Sequence, residues 1–168
     1  MGTYALNNVN MLPQQAHIGS SPDGDMTSLH YTIYSNASGI IVDGSGVLNS
    51  NDASAVASGD IIQLGVIPQG FKMYNVDMIV STAASASATA SIGFAYTDGV
   101  DVTATPQNAT FGFSAKTIAT AAYLRQDQPN PPVVLPKDAY LILTNGGATW
   151  AKACQIDVVV TGKYLGPL

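Results

Sequence analysis

The chain has 168 residues and a formal charge of −5, with 46% apolar and only 10% charged residues. That size fits one domain with a core of its own, and the apolar content excludes wholesale disorder. The acidic balance argues against a nucleic-acid partner, since the six basic residues (Lys72, Lys116, Arg125, Lys137, Lys152, Lys163) are scattered singly.

All eleven acids are Asp. Good helix formers are scarce, while Thr, Val, Ile, Tyr and Gly are plentiful, which favours strands and turns. A single cysteine excludes an intramolecular disulfide. The opening "MGTYALNNVN" lacks the basic region and apolar run of a secretory signal, so synthesis in a cytoplasm is expected. No apolar stretch approaches the ~20 residues of a membrane span, so no membrane partner is expected.

In chain order, residues 1–24 show no sustained period and form a first segment, ahead of a domain over 25–168. Two readings stay open for it. It is an arm that docks on another surface through Tyr4, Leu6, Val9, Met11 and Leu12, or it is a frayed terminus. From Met26 the period becomes two, with Leu29, Tyr31 and Ile33 on one face and Ser28, His30 and Thr32 on the other. "NASGIIVDGSG" is a short apolar run between turn signals. "NSNDASAVASGD" is a small-residue connection with room for one helical turn.

"GDIIQLGVIPQGFKMYNVDMIV" then reads as strand, turn, strand. Ile62, Leu64 and Val66 share one face. Pro68 and Gly70 make the turn, Gly70 through a positive φ. Tyr74, Val76, Met78 and Val80 are expected to face inward, Asn75 and Asp77 outward. In "ATASIGFAYTDG", Ala88, Ala90, Ile92, Phe94 and Tyr96 alternate with small or polar residues. "TFGFSAKTIATAAYL" holds one or two weaker strands. Pro131, Pro132 and Pro136 lack the N–H a ladder needs and belong at edges or between strands. "AYLILT" is a short apolar strand. Cys154, Ile156, Val158 and Val160 form the inner face of the last, which ends near Tyr164. About eight strands with turn signals between them predict an all-β, antiparallel β-sandwich of jelly-roll type with an extended N-terminal arm.

Residues able to do chemistry are few. One cysteine and two separated histidines, His17 and His30, do not supply a zinc site. A Cys154–His nucleophile pair is weighed against the position of Cys154 on an apolar strand face, where a free cysteine acts as a small hydrophobe. Asp98 and Asp101 in "TDGVD" suggest half an acid pair or a cation loop, but Asp-Gly is first a turn signal and the regular oxygen ligands of a calcium loop are missing. "VDGSG" at 42–46 reads the same way, and no phosphate-binding glycine loop is present. Neither a catalytic residue nor a cofactor is expected. Trp150 with Tyr4, Tyr31, Tyr34 and Tyr123 would be the side chains of a sugar-binding face, though no spacing among them shows one.

"GDIIQLGVIPQGFKMYNVDMIVS", "ASIGFAYTDGVD", "LPKDAYLILT" and the β-rich C-terminus, within residues 26–164, resemble the jelly-roll head-decoration or cement proteins of short-tailed bacteriophages. The resemblance implies a virion protein, made in the bacterial host cytoplasm, that binds the outside of an assembled capsid. It would clamp neighbouring major capsid protein subunits as a dimer or trimer, without catalysis. The alternatives are a carbohydrate-binding sandwich of a fibre or lectin-like protein, and a hydrolase relying on Cys154.

Overall fold

The computed structural model describes residues 2–6 and 26–166. Among these the backbone forms strands and no helix. The strands are β1 (Thr3–Ala5), β2 (Thr27–Ser35), β3 (Ile41–Val42), β4 (Ile61–Ile67), β5 (Phe71–Thr82), β6 (Ala88–Tyr96), β7 (Asn108–Thr117), β8 (Ala122–Leu124), β9 (Val133–Val134), β10 (Ala139–Gly147) and β11 (Cys154–Tyr164). They make two sheets. The first has the order β1-β4-β10-β6-β7; the second has the order β3-β2-β11-β5-β8, with β9 also on β5.

The chain crosses repeatedly from one sheet to the other. It passes from β4 to β5, returns for the β6–β7 hairpin, crosses to β8, returns for β10 and crosses again for β11. The main strands therefore lie as β4-β10-β6-β7 against β2-β11-β5-β8, the order of a jelly roll. All pairings are antiparallel except β1, which lies parallel to β4.

Period-two alternation sets which side chains meet between the sheets. Leu29, Tyr31 and Ile33 of β2, the Ala88–Tyr96 series of β6, and Cys154, Ile156, Val158 and Val160 of β11 are all buried there. Two strands depart from the alternation expected of their sequence. In β4 Ile62 and Leu64 face inward, but Ile67 replaces Val66. The cause is a bulge: Leu141 pairs with Gly65 and Ile142 with Gln63, so Leu64 is an extra residue and the phase flips beyond it. In β5 Thr161 pairs with Asn75 and Gly162 with Met73, leaving Tyr74 as the extra residue. Met73 and Phe71 therefore fill the core, and Tyr74 turns outward beneath the Lys72 ammonium.

Gly70 takes the positive φ, 77°, that its turn requires. Pro131 and Pro132 precede the short β9, and Pro136 lies between β9 and β10. The stretch from Asp43 to Asp60 forms no helical turn. It is an irregular strap held by the buried Val56, whose carbonyl accepts the Trp150 backbone N–H at 2.9 Å.

One polar side chain organises that end of the core. Asn145 is fully buried; its amide donates to the carbonyls of Ala57 (3.0 Å) and Ala148 (3.1 Å), and its oxygen accepts the Trp150 indole N–H at 3.0 Å. A buried amide with this many partners ties strap, β10 and the β10–β11 loop into one geometry.

Candidate interaction surfaces

Sequence-derived candidates sort into three places. Tyr4 and Leu6 lie inside this chain's own core, 3% and 4% exposed. Tyr4 belongs to β1, and Leu6 bridges to Ser50 just beyond it. Asp60 fixes the strand from below: its carboxylate accepts the N–H of Gly2 and, at 2.8 Å, that of Ala57. The Tyr4 hydroxyl lies between this carboxylate and the Ala55 carbonyl oxygen, 3.2 Å away. Burial, then the bond to the Asp60 carboxylate, push the Tyr4 phenol up to about 12. The apolar surface of these two residues is thus covered within the chain, and β1 is an edge strand of the sandwich. Val9, Met11, Leu12 and His17 lie outside the described residues.

The candidate chemical residues are engaged elsewhere. Cys154 is buried beside Ser35, whose hydroxyl is 3.1 Å from the sulfur, and burial raises the thiol above its ordinary value. His30 stands on the opposite face of the second sheet from Cys154, so the two do not form a pair. Asp98 accepts the Lys137 ammonium at 2.7 Å and the Val100 N–H at 2.9 Å; Asp101 accepts the N–H groups of Val102 and Gln107. The Lys137 bond, then the Val100 N–H, hold the Asp98 carboxyl below the usual range. Among the described residues no cluster of His, Cys or Asp has metal-ligand geometry. Of the aromatic set, Trp150, Tyr4 and Tyr31 are buried, so only Tyr34 and Tyr123 remain to offer a face.

Two surfaces remain. The first is the outer face of the β2-β11-β5 sheet. Asp157 is only 7% exposed there although its strand alternation points it outward. Its carboxylate is covered by donors: the Thr32 hydroxyl at 2.6 Å, His30 Nε2 at 3.1 Å, the Gln155 amide at 3.3 Å and the Ser81 hydroxyl at 3.5 Å. Alongside, Asp77 accepts the Asn75 amide at 2.7 Å and the hydroxyl of Tyr123 at 3.0 Å. Cross-strand neighbours lock these side chains in place, giving a pre-ordered face with little net charge. Strand alternation alone could not signal this cluster, because its members come from three strands distant in sequence.

The second surface is a groove of about 430 Å³ between the start of β7, the loop before it and the segment that leads into β9. Pro106, Phe111, Asn130, Pro131 and Val133 are among its walls, and no lining residue is charged.

The fold and these surfaces define an eight-strand jelly roll with added short edge strands, presenting polar, low-charge faces. No protein-family model matches the chain, and no curated protein matches it. Solved structures do. A chain of "Capsid of Ralstonia phage GP4" superposes with a TM-score of 0.57 at 18% identity, covering 94% of this chain and 97% of that one. A chain of "Cyanophage Pam1 capsid asymmetric unit" gives the same TM-score, 0.57, at 13% identity, covering 89% of this chain and 92% of that one. At these identities the likeness is one of fold.

Proposed function

We propose that this chain is a non-enzymatic structural component of a phage virion, a decoration or cement protein that binds the outer surface of an assembled head. The observation that carries this reading is the end-to-end match of its fold to chains from two phage capsids. The sequence resemblance to cement proteins supports the finer role. So does a surface whose outer sheet face is pre-ordered and nearly neutral, a property suited to packing against protein.

In this reading the partner is the major capsid protein, and the chain acts as a dimer or trimer. Stabilisation is by mass action: a protein that binds the assembled shell and not the free subunit shifts the equilibrium toward the shell. Repetition over a symmetric lattice multiplies weak contacts. Val9, Met11 and Leu12 are the arm residues assigned to the partner, since Tyr4 and Leu6 are covered by the sandwich itself. The test is co-pelleting of the purified protein with undecorated heads, followed by heating of bare and decorated heads. Saturable binding with a raised disruption temperature is expected. Failure to bind heads from the cognate phage would refute the role.

A second reading, a carbohydrate-binding module, draws on Tyr123. The residue is 56% exposed and its hydroxyl is anchored by Asp77 beside Asn75, a stacking platform next to polar groups. Glycan-array binding lost in Tyr123→Ala would favour it.

A further inference from the structure

An edge strand carries a row of backbone donors and acceptors that something must satisfy. Among the described residues the other sheet borders are short or covered in part. At β7, the following segment lies along the border: the Asp127 N–H donates to the Gly112 carbonyl at 3.2 Å, and the Asn130 amide donates to that of Phe111 at 2.8 Å. Lys116 and Asp127 add an ion pair at 3.2 Å. β1, β8 and β9 are two or three residues long.

β2 differs. One side pairs with β11 over its whole length, Thr27 to Ser35, without a register shift. On the other side β3 pairs only with Tyr34 and Ser35. Among the described residues, nothing pairs with that side from Thr27 to Ile33. The Asn36 N–H donates toward β3, to Ile40, so the even-numbered residues of β2 point their backbone groups to the open side. These are Ser28, His30 and Thr32. The stretch has none of the usual protections: no Lys, no Pro, no bulge and no inward charge.

We propose that this open edge of β2 is a self-association surface, and that its occupant is β2 of a second copy, antiparallel about a two-fold axis at His30. An antiparallel pair places residues whose backbone groups face each other directly opposite, in steps of two. With His30 opposite His30, Ser28 meets Thr32 of the second copy and Thr32 meets its Ser28. Each open N–H and C=O then finds a partner. The contact is self-complementary, as a two-fold interface must be. The facing side chains are Ser, Thr and His, so no carboxylate meets a carboxylate across the axis. The two second sheets would become one continuous sheet. This surface deepens the self-association part of the proposed function and is independent of head binding.

The experiment uses the full-length chain without heads. Sedimentation over a concentration series should show a monomer–dimer equilibrium. Amide exchange should show Ser28, His30 and Thr32 becoming protected as dimer forms. Ser28→Pro removes a donor that the β11 ladder does not use, so the fold should survive, with an unchanged melting curve in dilute solution. It should raise the dimer dissociation constant at least about tenfold, while Ser28→Thr should not. A chain that stays monomeric overturns the proposal, as does a dimer indifferent to Ser28→Pro. Protection of the three amides at monomer concentrations would assign the edge to the chain's own residues. Protection only on added heads would assign it to a capsid strand. Either result also overturns the second-copy assignment, and head binding itself is read separately by co-pelleting.

Discussion

Leu6→Ala, set beside Met11→Ala, tests the proposed division between a first strand that folds with the sandwich and an arm that meets the head. Leu6 is 4% exposed and belongs to the main core cluster with Tyr4 and Ile62. Truncating a buried leucine to alanine costs ~2–5 kcal/mol, through lost transfer energy and the cavity left behind. At a chain edge, where the neighbouring strap can relax inward, the lower half of that range applies, about 2–3 kcal/mol. For a domain of this size each kcal/mol lowers Tm by about 2–4 °C, so a fall of about 4–12 °C is expected. Met11→Ala, in the segment proposed to meet the head, should shift Tm by no more than about 2 °C, the change expected of a side chain worth less than about 0.5 kcal/mol to folding. It should instead weaken head binding. The assay is calorimetry of both variants with co-pelleting of each. If Leu6→Ala leaves Tm unmoved, or Met11→Ala lowers it as much, the division between docked strand and binding arm is wrong.

The buried amide gives a coupling test. Asn145→Ala orphans the Trp150 indole N–H, at about 1–3 kcal/mol for a buried unsatisfied group, so combining it with Trp150→Phe should cost less than the sum of the singles, by denaturant titration. Asp60 gives a pH test. Burial acts to raise its carboxyl, but hydrogen bonds from Gly2, Ala57 and Tyr4 outweigh it, and the carboxyl lies below its ordinary 3.8. A depressed folded value means stability present above the unfolded value and lost as pH falls through the folded one. Wild type should therefore lose stability from about pH 4 downward, and Asp60→Asn should flatten that slope in an unfolding titration. Cys154 should resist a thiol reagent in native buffer and react at once in denaturant; rapid native labelling would contradict its burial.

Much of the fold could be read from side-chain period. Where each strand keeps strict alternation, as in β2, β6 and β11, sequence and structure agree on which residues face the core. Errors come where one extra residue flips the phase. A bulge at Leu64 or Tyr74 depends on the neighbouring strand's register, set by residues about 80–90 positions away in the chain, and carries no local signal. Gly65 is a partial hint in retrospect: a side chain there would collide with the Tyr31 ring, so glycine is demanded by the opposite sheet. The docking of β1 was illegible for the same reason. Tyr4 and Leu6 look like unanchored apolar residues until Asp60, more than fifty positions later, supplies the carboxylate that holds Gly2. The outer-face network around Asp157 combines His30, Ser81 and Gln155, which no spacing rule connects.

The distribution of edges bears on how such a chain would assemble. A sandwich with two long open edges could add copies without limit, because each new copy would present a fresh edge to the next. Here the far side of the first sheet is covered at Phe111 and Gly112 by the segment carrying Asp127 and Asn130, and the first sheet's other border ends in a three-residue strand fixed by Asp60. In the second sheet β5 is bordered by β8 and β9, and the gap between them is filled by Gln126, whose side-chain oxygen accepts the Val76 N–H at 3.1 Å. That leaves β2, from Thr27 to Ile33, as the longest stretch without a partner on one side among the described residues. One edge pairs once. Association through it closes at two copies and cannot propagate into a fibre. Freeing a second edge should change this: Asn130→Ala with Lys116→Ala would loosen the strap over β7 and allow growth at both sides. Higher-order species in sedimentation are the expected result, and a double variant that still stops at the dimer would show that the strap is not what caps the β7 edge.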